Sequence, residues 1–190
     1  LLAFGDQIKA EAPAAIAQLH ALGIRSVMLT GDNAGSAKAV AQQLGIDEVH
    51  AQLLPADKAR LIGELRAQGQ IVAMVGDGIN DAPSLAAADV GMSMATGSDV
   101  AMQAAAITLM RGDLRLVADS LDISRRTYRK IRQGLFWAFA YNTLGIPLAA
   151  LGYLSPVLAG AAMAASSVSV VANALTLRRW QAQSSPPQAH

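Results

Sequence analysis

Residues 74–83, MVGDGINDAP, carry the strongest structural signal in the chain. They continue an apolar run, residues 71–75, that predicts a buried strand, and their glycines allow the backbone to turn tightly where that strand ends. The turn sets two carboxylates, Asp77 and Asp81, four residues apart. Because oxygen ligands in a small cage suit Mg²⁺, this spacing indicates a magnesium site, although a single Asp-Gly or Asn-Asp pair is more often only a turn.

A second polar loop lies upstream, at residues 30–33, TGDN. It follows a predicted strand, residues 24–29, and precedes a predicted helix. Thr30, Gly31 and Asp32 therefore offer a hydroxyl and exposed backbone amides just before a helix N-terminus, which is typical of a phosphate-binding loop. Taken alone, this motif is also compatible with an ordinary turn.

Lys58 lies between the two loops in the sequence, on the first turn of a helix predicted for residues 55–68. Its ammonium group is suited to neutralise phosphoryl charge, although a lone helical lysine is usually a solvated surface charge. The order of the two loops and the lysine, after hydrophobic strands, favours a phosphate pocket over three unrelated surface features.

Strand and helix signals alternate through residues 1–118, which predicts an α/β fold with a parallel, Rossmann-type sheet. Weaker strands are predicted at residues 90–94 and 107–110, and a helix at residues 13–22. In such a sheet, ligands bind where the strands end at their carboxyl edge. We therefore expect the two polar loops to meet at one edge of the sheet.

Residues 133–177 contain no Asp, Glu, Lys, Arg or His, although one bilayer crossing needs only about 20 apolar residues. A turn predicted at residues 152–156 divides this run into two arms, residues 134–153 and 156–177. The run indicates a transmembrane helical hairpin. A buried hairpin in a soluble protein is the alternative.

Both ends of the predicted hairpin are basic. Residues 119–132 predict a stalk helix with five Lys or Arg residues, and Arg178 and Arg179 follow the second arm. By the positive-inside rule, the stalk and a disordered tail predicted for residues 178–190 are cytosolic. The lipid bilayer is then the partner of the hairpin.

Composition narrows the function classes further. The chain has 190 residues and no cysteine, so disulfide scaffolds, thiolate zinc sites and cysteine nucleophiles are excluded within it. Residues 1–118 hold 12 acidic residues against 8 basic ones. This balance argues against nucleic acid as a partner.

The motifs TGDN at residues 30–33, LLPADK at 53–58 and MVGDGINDAP at 74–83 closely resemble the phosphorylation (P) domain of P-type ATPases, a haloacid-dehalogenase-like domain. The hairpin is similar to the last two transmembrane helices of the copper(I) and silver(I) exporters, with YN at residues 141–142 and MAASS at 163–167. The resemblance covers nearly the whole chain. It implies an ATP-driven Cu(I) or Ag(I) pump of the plasma (inner) membrane with a cytosolic P domain.

The resemblance also implies roles for individual residues. Thr30 and Gly31 would hold the phosphoryl group, and Lys58 would stabilise its charge. The implied residues form four sets: the catalytic residues Thr30, Gly31, Asp32, Lys58 and Asn80; the Mg²⁺ ligands Asp77 and Asp81; the hinge residue Asp6; and the copper path of Tyr141, Asn142, Met163 and Ser167.

Elementary chemistry supports part of the copper path independently. The thioether of Met163 is a soft ligand that suits Cu(I), and polar side chains inside a bilayer are costly enough to indicate a function. The simpler interpretation is that Met163 fills space and that Ser167 makes a close helix contact.

Several parts that the resemblance implies do not occur in this sequence. They are the aspartate nucleophile of the family's DKTGT motif, the nucleotide-binding and actuator domains, and the other transmembrane helices, with their CPC motif. We therefore expect the chain to be the C-terminal portion of a longer pump, with ATP bound mainly by the nucleotide-binding domain. Alone, it is expected to be inactive.

Three other interpretations stay open. A membrane-anchored phosphatase of the same superfamily would share the loops around Thr30 and Asp77 but needs its own nucleophile. A zinc or cadmium pump is expected to carry a carboxylate in the final arm, and this arm has none. A non-catalytic membrane interaction module would bind neither Mg²⁺ nor phosphate analogues. Cu(I) and Ag(I) fit the hairpin equally, because both are soft monovalent ions.

Overall fold

The computed structural model describes residues 8–153 and 155–182. The chain divides into two compact units, residues 1–119 and residues 120–190. Asp6, the predicted hinge residue, and most of the predicted tail lie outside the described residues.

The first unit is an α/β domain. Its strands are β1 Val27–Leu29, β2 Glu48–His50, β3 Ala73–Gly76, β4 Val90–Met94 and β5 Ile107–Leu109. Strand β1 pairs with β2, and β4 lies between β3 and β5, with every pair parallel. This arrangement confirms the predicted fold class. Strand β2 was not predicted, because only one of its three residues, Val49, is apolar.

Helices make the crossovers that parallel strands need. Helix α1 Ala12–Ala21 precedes β1, whereas α2 Ala34–Leu44, α4 Ala82–Ala87 and α5 Asp99–Ala104 make these crossovers. Helix α3 Pro55–Ala67 connects β2 to β3, and a 3₁₀ turn lies at Ile79–Asp81. Local signals set their ends. The Asn33 side chain accepts the Ser36 N–H at 2.9 Å to start α2, and Gly45, at φ +70°, ends it. The Asp57 carboxylate accepts the Leu54 N–H at 3.2 Å at the start of α3.

The core of the first unit surrounds β4, in which four of the five residues are buried. Ile62 of α3, Leu85 of α4 and Met92 of β4 are each 1% exposed. A strand buried in this way is typical of a parallel sheet covered by helices. Gly91 lets α4 approach the sheet, because an added Cβ would lie 2.6 Å from the Leu85 carbonyl oxygen. The core thus fixes β4 and, through its pairing with β4, the strand β3 whose end carries the loop of Asp77.

The second unit contains two long helices. Helix α6, Arg115–Ala150, starts ahead of the unit's first residue and runs for 36 residues. Helix α7, Pro156–Leu175, is followed by a 3₁₀ turn, Thr176–Arg179. Between the two helices Gly152 adopts a left-handed φ of +78°, which glycine accommodates without strain.

One stretch of the described residues, Val157–Arg179, is long and apolar enough to cross a membrane. Large apolar side chains along it, such as Val168 and Val171, are exposed. Exposure of this kind suits contact with lipid rather than a place in a protein core. The first predicted arm, residues 134–153, stays a prediction, and so do the domain boundaries inferred from the sequence.

Candidate active site

The loop after β1 is held by its own side chains. The Thr30 hydroxyl donates to the Asp32 carboxylate at 2.8 Å, and the Asp32 N–H donates back to the Thr30 Oγ1 at 3.1 Å. Thr30 is half-buried, whereas Gly31 and Asp32 are exposed. The hydroxyl therefore lies at the edge of the sheet, where an incoming anion can replace Asp32 as its acceptor.

The segment before α3 supports the same loop. The Gln52 N–H donates to the Asp32 carbonyl oxygen at 2.9 Å, and the Leu53 N–H donates to that of Thr30 at 3.0 Å. Gln52 adopts a φ of +57°, the left-handed region that side chains other than glycine rarely occupy. Such a conformation costs about 1–3 kcal/mol and persists only where the surroundings hold it. Here it directs the amides of Gln52 and Leu53 to carbonyl oxygens of the loop of Thr30.

Lys58 and Asp81 form an ion pair at the end of β3. The Lys58 Nζ donates to the Asp81 Oδ1 at 2.8 Å, and the two side chains are 16% and 14% exposed. The Gly78 N–H lies 3.4 Å from the other carboxylate oxygen. Gly76 makes the fold of this loop possible, since an added Cβ would lie 2.8 Å from the Asp81 Cβ.

Asp77 and Asn80 are both exposed on the same loop. The backbone of Asp77 is fixed from the next loop, because the Ser98 N–H donates to its carbonyl oxygen at 2.9 Å. Gly97 comes so close that an added Cβ would lie 2.5 Å from that oxygen. The loop after β4 thus positions Asp77 while leaving its carboxylate open to solvent.

A continuous set of contacts joins the two predicted loops. The loop of Thr30 bonds to Leu53, Leu53 leads into α3, and Lys58 of α3 bonds to Asp81 in the loop of Asp77. Both loops follow the carboxyl ends of parallel strands, β1 and β3. The two strands belong to separate sheets, so these contacts through α3, rather than a shared sheet edge, connect the loop of Thr30 with the loop of Asp77.

The donor set suits Mg²⁺ at Asp77. Mg²⁺ in phosphoryl-transfer sites usually takes one or two carboxylates and fills its other positions with water and phosphate oxygens. Asp77 supplies one exposed carboxylate, and no group of three or more acidic or histidine side chains occurs among the described residues. Asp81 already accepts from the Lys58 ammonium at 2.8 Å, whereas its other oxygen has only the Gly78 N–H at 3.4 Å, so lone pairs remain on Asp81 for a cation.

The predicted copper-path residues lie on α6 and α7. The Asn142 Nδ2 donates to the Ala138 carbonyl oxygen at 2.8 Å, and the Ser167 hydroxyl donates to that of Met163 at 3.1 Å. Each of these polar groups thus bonds within its own helix. The Asn142 Oδ1 and the thioether of Met163, which is 70% exposed, remain available as ligand atoms.

Comparisons with known proteins extend this assignment. The haloacid dehalogenase-like hydrolase family matches residues 1–89. Copper-exporting P-type ATPases of Staphylococcus haemolyticus (strain JCSC1435) and Staphylococcus aureus (strain bovine RF122 / ET3-1) are 56% and 55% identical over 181 residues, 95% of the chain. A zinc-transporting PIB-type ATPase in its E2.Pi state is 41% identical, with a TM-score of 0.85 over 92% of the chain. The chain belongs to the P-type ATPase family.

This P-type ATPase chain spans about a quarter of the length of these relatives. It covers 23% of each copper-exporting ATPase and 28% of the zinc-transporting one. The family membership confirms the resemblance that the motifs at residues 30–33, 53–58 and 74–83 carry. It also confirms the haloacid-dehalogenase-like character of the first unit.

Sequence reasoning missed two supports of the P-type ATPase site. The left-handed Gln52 gives no signal, because glutamine has no preference for that conformation. The loop of residues 95–98, ATGS, was also passed over. A glycine in the short loop after a buried strand marks a possible close approach of two backbones, so Gly97, three residues after β4, was the signal available there.

Gly97→Ala is expected to displace Asp77 in this P-type ATPase. The new methyl group would lie 2.5 Å from the Asp77 carbonyl oxygen, so one of the two loops must move. Overpacking of this kind costs about 1–3 kcal/mol. Hydrogen exchange at the Ser98 amide, which donates to Asp77, is expected to accelerate at least about fivefold.

Gly63→Ala is the matched control for this variant. Gly63 lies inside α3 with no atom within 4 Å of an added Cβ. Its replacement by alanine is expected to stabilise the helix by about 0.5–1 kcal/mol. Unchanged protection of Ser98 in Gly97→Ala would show that the contact does not hold Asp77.

Proposed function

We propose that this chain is part of an ATP-driven pump that exports Cu(I) or Ag(I) across the plasma membrane, with Mg²⁺-dependent aspartyl-phosphate chemistry in its cytosolic P domain. The observation that carries the proposal is the run of contacts from the Thr30 loop through Lys58 to Asp81, at the carboxyl ends of parallel strands. The copper-exporting relatives support the choice of substrate.

In this proposal the P-domain residues bind and orient a phosphoryl group that is attached to an aspartate outside the chain. The Thr30 hydroxyl and the Gly31 amide bond its oxygens, and Lys58 shares its ammonium between Asp81 and the phosphoryl charge. Mg²⁺, when held by Asp77 with Asn80 beside it, supplies further positive charge to those oxygens. Phosphoryl transfer depends mainly on such positioning and charge neutralisation.

The hairpin is proposed to carry the transported ion. Tyr141, Asn142, Met163 and Ser167 combine a thioether with neutral oxygen atoms, and residues 133–177 contain no carboxylate or imidazole. A soft monovalent ion needs no charged ligand, whereas a divalent ion such as Zn²⁺ is poorly neutralised by this set. This composition favours Cu(I) or Ag(I) over the zinc of the structural relative.

The orientation in the membrane follows from charge. We propose that residues 119–132 form a basic stalk on the cytosolic side and that residues 134–153 and 156–177 cross the bilayer. Arg178 and Arg179 then return the chain to the same side, which agrees with the positive-inside rule. The other domains of the pump complete the nucleotide site and the remaining transmembrane helices, so the chain alone is expected to hydrolyse no ATP.

Met163→Ala in the full-length protein tests the substrate. The exposed thioether is the softest ligand of the set, so its loss is expected to raise the Cu(I) concentration for half-maximal ATP hydrolysis at least about tenfold. ATPase assays with Cu(I), Ag(I) and Zn²⁺ check the result. Val168→Ala, an exposed apolar residue of the same helix, is the control and is expected to behave as wild type. Unchanged Cu(I) dependence, or stimulation of the wild type by Zn²⁺ alone, contradicts the proposed substrate.

A further inference from the structure

The two helices of the second unit are tied together by a pair of side chains far from their turn. The Lys130 Nζ donates to the Asn173 Oδ1 at 3.0 Å, and the Asn173 Nδ2 donates to the Lys130 carbonyl oxygen at 3.3 Å. Asn173 thus bonds both the side chain and the backbone of one residue on α6. A contact made to both restricts how far α7 can slide along α6.

A second polar contact lies beyond the first. The Trp180 Nε1–H donates to the Asp122 Oδ2 at 2.9 Å, and Asp122 also accepts from the Arg126 Nε at 2.7 Å. The Trp180 N–H, more than Arg126, holds the pKa of Asp122 below its ordinary value. Asp122 is therefore a charged acceptor at neutral pH, and the bond to Trp180 is charge-assisted.

A third contact between the two helices is apolar and lies one turn beyond Lys130 on α6. Gly134 is buried, and an added Cβ would lie 3.6 Å from the Val170 Cγ1. Small residues at such positions let two helices approach closely. The positions on α6 rise from Asp122 to Lys130 to Gly134. Their partners fall by nearly equal steps, from Trp180, which follows α7, to Asn173 and then Val170. The three contacts share one antiparallel register.

That register has a consequence for the copper-path residues. Tyr141 lies seven residues beyond Gly134, and Met163 lies seven residues before Val170. Seven residues make about two helical turns and about 10 Å of rise, so each residue returns to nearly the same face of its helix. Continued over these two turns, the register places Tyr141 and Met163 at one depth, each on the row of its helix that continues from the Gly134–Val170 contact.

The packing loosens at that depth. Gly134 is buried, but Tyr141 is 38% and Met163 70% exposed. The Tyr141 ring leans toward Trp137 of its own helix, with ring centroids 6.2 Å apart. The register thus gives the two residues a common depth, and their exposed side chains are accessible there to an ion and its other ligands.

We infer that Lys130 and Asn173 are positioning residues that set the register of α6 against α7 and so hold Tyr141 and Met163 at one depth. The geometric part stands on the contacts described above. The part concerning the ion rests on the proposed function.

Cross-linking tests the register without any transported ion. The chain contains no cysteine, so paired cysteines can be placed at will in the chain reconstituted in lipid nanodiscs. The pair Tyr141→Cys and Met163→Cys is expected to react with a short bifunctional thiol reagent at least about five times faster than the pair Tyr141→Cys and Ser167→Cys, which lies one turn away. Adding Asn173→Leu is expected to remove this preference.

A conservative variant separates register from folding. Asn173→Asp keeps the acceptor for the Lys130 ammonium, so it is expected to retain the preference for the pair at positions 141 and 163, whereas Lys130→Met is expected to lose it. Ala174→Leu, an exposed neighbour of Asn173, is the control and is expected to leave the preference intact. The same preference in Asn173→Leu as in the wild type overturns the inference.

Metal dependence in the full-length protein provides the second readout. Asn173→Leu is expected to raise the Cu(I) concentration for half-maximal ATP hydrolysis at least about fivefold while changing the maximal rate less than twofold. A purely structural role predicts a fall in maximal rate with an unchanged Cu(I) requirement, and that outcome overturns the positioning role. If Cu(I) does not stimulate the wild type, the proposed function fails while the cross-linking result still decides the register.

Discussion

Asp77→Asn in the full-length protein is expected to lower phosphoenzyme formation from ATP at least about a hundredfold. The carboxylate is exposed at the end of β3 and its backbone is fixed by the Ser98 N–H, so it is placed to hold a cation rather than to stabilise the fold. Asparagine keeps the size of the side chain and removes its charge. Loss of one preorganised electrostatic group in a phosphoryl site typically costs about 10²–10³ in rate.

The measurement is incorporation of the γ-phosphoryl group at several Mg²⁺ concentrations. Because a weakened Mg²⁺ site is partly refilled by mass action, we expect the residual activity of Asp77→Asn to rise with Mg²⁺ beyond the level that saturates the wild type. Glu64→Gln removes an exposed charge from α3 and is expected to change nothing measurable, since its ion pair with Arg60 lies at the surface. Normal phosphorylation of Asp77→Asn at ordinary Mg²⁺ levels contradicts the assignment of Asp77.

Lys58→Met is expected to be almost as damaging, by about 10²-fold or more in the rate of phosphoryl transfer. Methionine approximates the length of the lysine stem but carries no charge. Loss of the Lys58 ammonium also leaves the carboxylate of Asp81, which is 14% exposed, without its ion-pair partner at 2.8 Å. An unpaired polar group of this kind costs about 1–3 kcal/mol, so stability is expected to fall together with the rate.

A second substitution separates the two effects of Lys58→Met. In the double variant Lys58→Met and Asp81→Asn, the uncompensated charge is gone, so stability is expected to return toward the wild type while phosphoryl transfer stays low. Thermal unfolding and phosphorylation, measured on the same preparations, distinguish the outcomes. Lys38→Met, which removes an exposed lysine of α2, is the control. Recovery of the rate together with stability would assign Lys58 to the fold rather than to phosphoryl transfer.

The loops around Thr30 and Asp77 could be found in the sequence because each follows a local pattern, an apolar strand and then a polar turn with glycine, whereas Lys58 was found on the first turn of a helix that begins at a proline. The parallel sheet followed from the same alternation. The short strand β2 could not, since its pairing with β1 depends on the whole domain. Local patterns thus located the loops and the order of the main elements.

The contacts between those loops depend on tertiary structure. Lys58 and Asp81 are 23 residues apart, and their pairing depends on how α3 packs against the 3₁₀ turn that contains Asp81. Lys130 and Asn173 are 43 residues apart, and a single asparagine in an apolar run does not disclose its partner. Distance along the chain, rather than weakness of the contacts, hid both pairs from sequence reasoning.

The uninterrupted course of α6 has a mechanical consequence. Its 36 residues make a rod about 54 Å long, whereas the hydrocarbon core of a bilayer is only about 30 Å thick. If residues 134–153 cross the bilayer as proposed, about 24 Å of the helix extends beyond the acyl chains as a lever arm. Tilting it by about 10° would swing its free end by about 4 Å, so a small hinge motion at the headgroups is amplified into a stroke larger than a metal–ligand bond.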